Sequence, residues 1–189
     1  MFQTIQSHQT TAIMLASHSW FTHVGIIKLR PGKTPLVLEA VGPVREITLS
    51  KWIKQGIGER LEIMRLPDLT SAQAAGVLAA AAKDNGKEYD FHFTLADDKI
   101  YCSELAYRAY ESGAGIKLGQ LQKTGMLDLE NFAVQKLLRE RWPDHPQCQT
   151  PETKSFETCL AVIKQQDIIT PESLARDPRL VVIYSNYPF

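Results

Sequence analysis

The chain has 189 residues with 21 basic and 21 acidic side chains, zero formal charge, 44% apolar and 22% charged content. These are ordinary values for a globular protein long enough to bury one good core. They set aside a nucleic-acid binder, which needs a basic surface to displace counterions, and give no support for a polybasic membrane patch.

In chain order, TAIMLAS (11–17) reads as a short helix and THVGIIKL (22–29) as a β-branched strand ending at RPGKTP. LVLEAV (36–41) is the returning strand, stopped by Gly42-Pro43, so the two make an antiparallel pair. TLSKWIKQG (48–56) reads as a helix capped by Ser50 and stopped by Gly56, and RLEIMRL (60–66) as a third strand. DLTSAQAAGVLAAAAKDNGK (68–87) is the clearest helix: Asp68, Thr70 and Ser71 compete for its N-cap, and Asn85-Gly86 end it. YDFHFTL (89–95) reads as extended. A second strong helix spans about 103–112 and ends at Gly113.

LDLENFAVQKLLRERW (127–142) is amphipathic through Phe132, Val134, Leu137 and Leu138. Residues 143–179 lack strong periodicity and read as a loop-rich tail wrapping a single domain of residues 1–189, with a helical turn after Pro171. LVVIYSNYP (180–188) is a final strand. No run of about 18 apolar residues exists, so no transmembrane helix is expected. MFQTIQSHQTT lacks the basic and apolar regions of a secretory signal. As it stands the sequence suggests a cytoplasmic protein, or a periplasmic or envelope-associated one if a segment precedes it.

The three cysteines, Cys102, Cys148 and Cys159, have no CxxC pair and no metal-ligand spacing, so no cofactor or metal is expected. Cys148 and Cys159 can pair if oxidised; at least one thiol is left free. Cys102 stands where a helix begins, facing unpaired N–H groups and the positive end of the helix dipole. Both favour a thiolate, and a backbone N–H there can stabilise an oxyanion. A buried structural cysteine is the plainer alternative.

A working thiolate needs an imidazole and a group to hold it. His23 opens the strand HVGII, where Gly25 permits close approach of another backbone. Glu39 is the only ionisable residue in PLVLEAV, and a carboxylate in so apolar a strand is costly to bury unless paired.

THVGII, VLEAVGPV followed by SKWIKQG, GKEYDFHF and DDKIYCSELAYRAY resemble the YiiX/YebB-like permuted papain-fold cysteine peptidases. These form a circularly permuted branch of the NlpC-like superfamily related to the lecithin:retinol acyltransferase group. The similarity is strong over about residues 20 to 112 and looser beyond. It implies an α+β, papain-like fold, circularly permuted, with an antiparallel sheet packed against helices and the cysteine at a helix N-terminus. It further implies Cys102 as nucleophile, His23 as general base and acid, and Glu39 as the group orienting the imidazole.

Tyr101, Glu104 and His92 are candidates for substrate contact, with packing or capping as their plainer readings, and Tyr89 is considered for the cleft with His92. The expected activity is thiol hydrolysis of a peptide or N-acyl amino acid amide. Acyl transfer, lipid ester hydrolysis or a non-catalytic binding module are the alternatives. The expected partner is a small-molecule, peptide or lipid-like acyl substrate, and oligomeric state is left open.

Overall fold

The computed structural model describes residues 1–188. The chain runs β1 (Phe2–Gln3), α1 (Thr10–Ser17), β2 (His23–Arg30), β3 (Lys33–Ala40), β4 (Val44–Thr48), α2 (Leu49–Gln55) and β5 (Glu62–Arg65). It continues through α3 (Ser71–Lys83), β6 (Glu88–Tyr89), β7 (Lys99–Ile100), α4 (Cys102–Ala114), β8 (Gln122–Lys123) and α5 (Phe132–Arg141). The last elements are α6 (Phe156–Gln165), β9 (Asp167–Ile168), α7 (Pro171–Ala175) and β10 (Val181–Ser185). One six-stranded antiparallel sheet has the order β10-β5-β1-β2-β3-β4, with helices packed against it, which is the expected α+β architecture.

Side chains alternate across this sheet as the period of two requires. Phe2, Val24, Ile26, Leu38 and Ala40 enter the main core with α3 and α4, while Val37 and Ile27 meet Trp52 of α2 on the opposite side. Helix α2 starts two residues earlier than expected, because Thr48 and not Ser50 accepts the capping bond, from the Lys51 amide. For α3 the cap is Thr70, which exchanges bonds with Gln73.

The expected stop at Gly113 is not one. Helix α4 continues to Ala114 and ends on Gly115 in the left-handed conformation. Gly113 instead faces Gly76 of α3, where a Cβ on Gly76 would lie 2.1 Å from the Gly113 carbonyl oxygen. The two glycines let the helix backbones touch, and the alanine-rich face of α3 extends that close approach.

Helix α5 packs on α1 through Val134, Leu129 and Ala12, yet Phe132, expected on its apolar face, is 82% exposed. YDFHFTL is extended only at its start; residues after Tyr89 turn, with Phe93 at φ 55°. The stretch after Pro143 contains α6, capped by Ser155, where the sequence suggested loop. Cys159 of α6 forms a disulfide with Cys148.

Candidate active site

Two elements from distant parts of the chain meet at one end of the sheet. Strand β2 begins at His23, which pairs with Gln3, and two residues later Gly25 faces Glu39 on β3. Helix α4 begins at Cys102. Its first turn is anchored by the Ser103 hydroxyl, which donates to the Ile169 carbonyl at 2.8 Å, and by the Tyr101 hydroxyl, which accepts from the Ile169 amide at 3.1 Å.

Glu39 Oε2 lies 2.8 Å from His23 Nε2, with both side chains buried. The same carboxylate accepts from Gln55 Nε2 at 3.1 Å and from Arg45 Nε at 3.0 Å. Four hydrogen-bonding sites on a carboxylate are thus well used, which is what allows it to be buried. Burial alone would raise the Glu39 pKa, but the bonds from His23, Gln55 and Arg45 bring it below the ordinary value. With Nε2 committed to Glu39, Nδ1 is the nitrogen left for the sulfur, and the imidazole hydrogen-bonds Cys102.

Burial opposes charge on both members of this pair, and the contact between them outweighs it. His23 is raised to about 9 by its bonds to Cys102 and Glu39. Cys102 is lowered by the imidazole and by the backbone N–H groups of Val24 and Ser103 directed at the sulfur. Both shifts favour the thiolate–imidazolium form of the pair over the neutral one.

The indole of Trp52 stacks on the His23 ring, with centroids 6.0 Å apart and planes 28° from parallel. Gly25 makes room for it, since a Cβ there would lie 2.9 Å from Trp52 Nε1 and 2.5 Å from Val37 Cγ1. The sequence suggested that Gly25 admits a backbone; what it chiefly admits is these two side chains.

Two cavities meet at the pair. One, of about 680 Å³ and partly open to solvent, has Cys102 and Tyr101 in its wall; the other, of about 450 Å³, has His23. Thr22 and Tyr89 line both, and the Tyr89 hydroxyl hydrogen-bonds the Cys102 sulfur and accepts from Gln9 Nε2 at 3.2 Å.

Glu104 and His92 line neither of these cavities. Glu104 is fully buried beside Arg108, whose Nε lies 2.8 Å from Oε1, and its Oε2 accepts from the Tyr101 amide at 3.3 Å. Burial pushes its carboxyl up to about 8 despite that guanidinium. It closes the first turn of α4, as an acid at a helix start does. His92 packs edge-on against His145, with ring centroids 5.1 Å apart, in a separate pocket.

Arg45, Gln55 and Arg141 were not visible as site residues in the sequence. Arg45 had a signal, because it stands directly across from Glu39 in the β3–β4 register. Gln55 and Arg141 reach the site only through packing.

The family of permuted papain-like amidase enzymes, YaeF/YiiX, C92 family, matches residues 1–184. The uncharacterized protein YiiX of Escherichia coli strain K12 is 31% identical over 189 residues, which is 100% of this chain and 85% of that protein. A crystal structure of the metalloprotein yiiX from Escherichia coli O157:H7 superposes with a TM-score of 0.86 at 32% identity, covering 99% of this chain and 95% of that one. Among the described residues here, no three His, Cys, Asp or Glu side chains converge to hold a metal ion.

Proposed function

The chain belongs to the permuted papain-like amidase family of the YaeF/YiiX type, and from that premise we propose that it is a thiol hydrolase cleaving a peptide or N-acyl amino acid type of amide. Cys102 attacks the carbonyl carbon as thiolate. The amide of Cys102 and the Tyr89 hydroxyl donate to the developing oxyanion. His23 passes its proton to the amine nitrogen as the C–N bond breaks, leaving a thioester on Cys102. Water then adds to that thioester, His23 takes its proton, and the carboxylic acid leaves as the thiolate re-forms. Glu39 orients the imidazole through Nε2 and stabilises its positive charge, with Arg45 and Gln55 holding the carboxylate in turn.

The observation that carries this reading is one imidazole bonded to both Cys102 and Glu39 in a buried setting. The chain order of histidine, acid and cysteine is no obstacle, since such a triad works by geometry and not by order. The apolar cavity beside Cys102 favours one second reading, in which the thioester passes to an alcohol or amine in place of water. The Cys148–Cys159 disulfide supports an oxidising compartment over the cytoplasm.

The test is incubation with p-nitrophenyl acetate and p-nitrophenyl decanoate followed by intact-protein mass spectrometry. One acyl adduct on Cys102, absent in Cys102→Ala, is the expected result. Release of free acid against transfer to added glycerol separates hydrolysis from acyl transfer. No adduct at Cys102 with either ester overturns the reading.

A further inference from the structure

The two cavities differ in chemistry, and each is lined by one member of the Cys102–His23 pair. The larger is walled by aliphatic side chains, among them Ile13, Ala16, Leu129, Leu137 and Ile168. Apart from Tyr89, which bonds Gln9 and Cys102, its hydroxyls are already engaged by backbone groups. Ser17 donates to Ile13, Ser103 to Ile169 and Thr124 to Gln166, while Thr22, Tyr101 and Thr170 accept from the amides of Ile5, Ile169 and Ser173. A peptide strand placed there would lose water from its own amides and find few partners, which is costly. A hydrocarbon chain would lose nothing. Cys102 is in this wall and His23 is not, so this is the acyl side.

The smaller cavity contains His23, the proton donor to the departing amine, and therefore takes the amine side. Its wall also holds Arg141, which donates to the Phe91 carbonyl at 2.6 Å and to Gln9 Oε1 at 2.8 Å. Arg141 has no carboxylate within ion-pair distance among the described residues. Its neighbour Glu140 is instead held by His8, at 2.8 Å. Burial lowers the Arg141 pKa, as expected for a half-buried cation without a full counter-charge. Phe91 and Phe93 rings flank the guanidinium, each 5.6 Å away, and keep it oriented.

We infer that the substrate is an N-acyl amino acid with a long apolar acyl chain, the chain lying in the cavity beside Cys102 and the free carboxylate meeting Arg141 on the His23 side. This rests on the hydrolase reading above and narrows its substrate class. The bond made is Cys102 Sγ to the acyl carbon; the bond broken is acyl carbon to amine nitrogen. The amino acid leaves with the proton from His23, and water completes the turnover.

The experiment compares kcat/KM for N-decanoylglycine, N-acetylglycine and N-decanoyl methylamine on the intact protein. N-decanoylglycine should exceed N-acetylglycine by roughly a hundredfold or more, since each buried methylene adds severalfold. It should exceed the carboxylate-free N-decanoyl methylamine by about ten- to a hundredfold, the usual worth of a charged hydrogen bond. Arg141→Gln should erase the second ratio and Arg141→Lys should restore part of it. Ala16→Phe, which fills the apolar cavity, should shift preference toward the acetyl substrate. Each is a ratio within one variant, so partial misfolding does not mimic it. Equal rates on decanoyl and acetyl substrates, or an Arg141→Gln loss that is the same with and without the carboxylate, overturn the inference. The p-nitrophenyl ester labelling distinguishes that failure from failure of the hydrolase reading: Cys102 then still acylates, with no preference for chain length.

Discussion

His23 Nε2 lies 2.8 Å from Glu39 Oε2 in a site that water scarcely reaches. That contact commits Nε2 of the imidazole and leaves Nδ1 for Cys102, so a strand hairpin and a helix remote in sequence share one network.

The pH dependence of Cys102 alkylation should reveal the pair. With His23 raised to about 9 and Cys102 lowered, the thiolate–imidazolium form holds from the depressed thiol pKa up to about pH 9. Iodoacetamide should therefore label Cys102 nearly as fast at pH 7 as at pH 8.5, whereas a free thiol titrates near pH 8.5. In His23→Ala the profile should move back toward that ordinary value. A wild-type rate still rising steeply through pH 8.5 would count against the ion pair.

Glu39→Gln should lower turnover of an activated acyl substrate by about 10²–10⁴-fold, the scale on which losing a carboxylate behind a histidine acts in other triads. It should also lower the His23 pKa, followed by NMR titration, because the imidazolium loses its counter-charge. Arg45→Ala, which removes a partner that is itself 45% exposed, should cost far less. Comparable losses in the two variants would mean that the carboxylate acts through the fold and not through the imidazole.

Gly113→Ala should destabilise the protein by about 3 kcal/mol, because a Cβ at this position meets the Gly76 and Val77 backbone at 2.4–2.5 Å. Thermal melting should show a drop on the order of 10 °C for a chain of this size. A melting temperature within a degree or two of wild type would show that α3 and α4 are free to separate.

Cys148→Ser with Cys159→Ser should cost about 3 kcal/mol, the expected worth of a crosslink closing so short a loop. Cys102 labelling should keep its rate. Thiol titration of the native, oxidised protein should find one free cysteine, Cys102, as the structure pairs the other two. Three titratable thiols in protein purified without reductant would contradict the crosslink.

Much of the site's framework is readable from local chemistry. A β-branched run, a Pro-Gly turn and a second apolar run specify the β2–β3 hairpin, and adjacent strands place His23 and Glu39 within reach of one another. Thr70 and Gln73 specify the start of α3 by reciprocal capping. Helix α4 was legible at its beginning and misread at its end. Gly113 has the same local signature whether it stops a helix or admits a neighbour, and only the approach of Gly76 decides between them. Helix α6 escaped detection because its sequence is bounded by Pro- and Thr-rich turns, and its apolar positions acquire meaning only against Cys148 and Trp142.

The sequence by itself determined strands β2, β3, β5 and β10, the starts of α3 and α4 and the side chains proposed to carry reactive chemistry, because backbone preference and alternation are properties of neighbours along the chain. Tertiary structure alone decided that an imidazole from β2 meets a sulfur from α4, that Arg45 and Gln55 share the Glu39 carboxylate, and that Arg141 faces the cavity holding His23. Those relationships join residues from 6 to more than 100 positions apart. They depend on how helices and sheet pack in three dimensions, for which no local pattern carries a record.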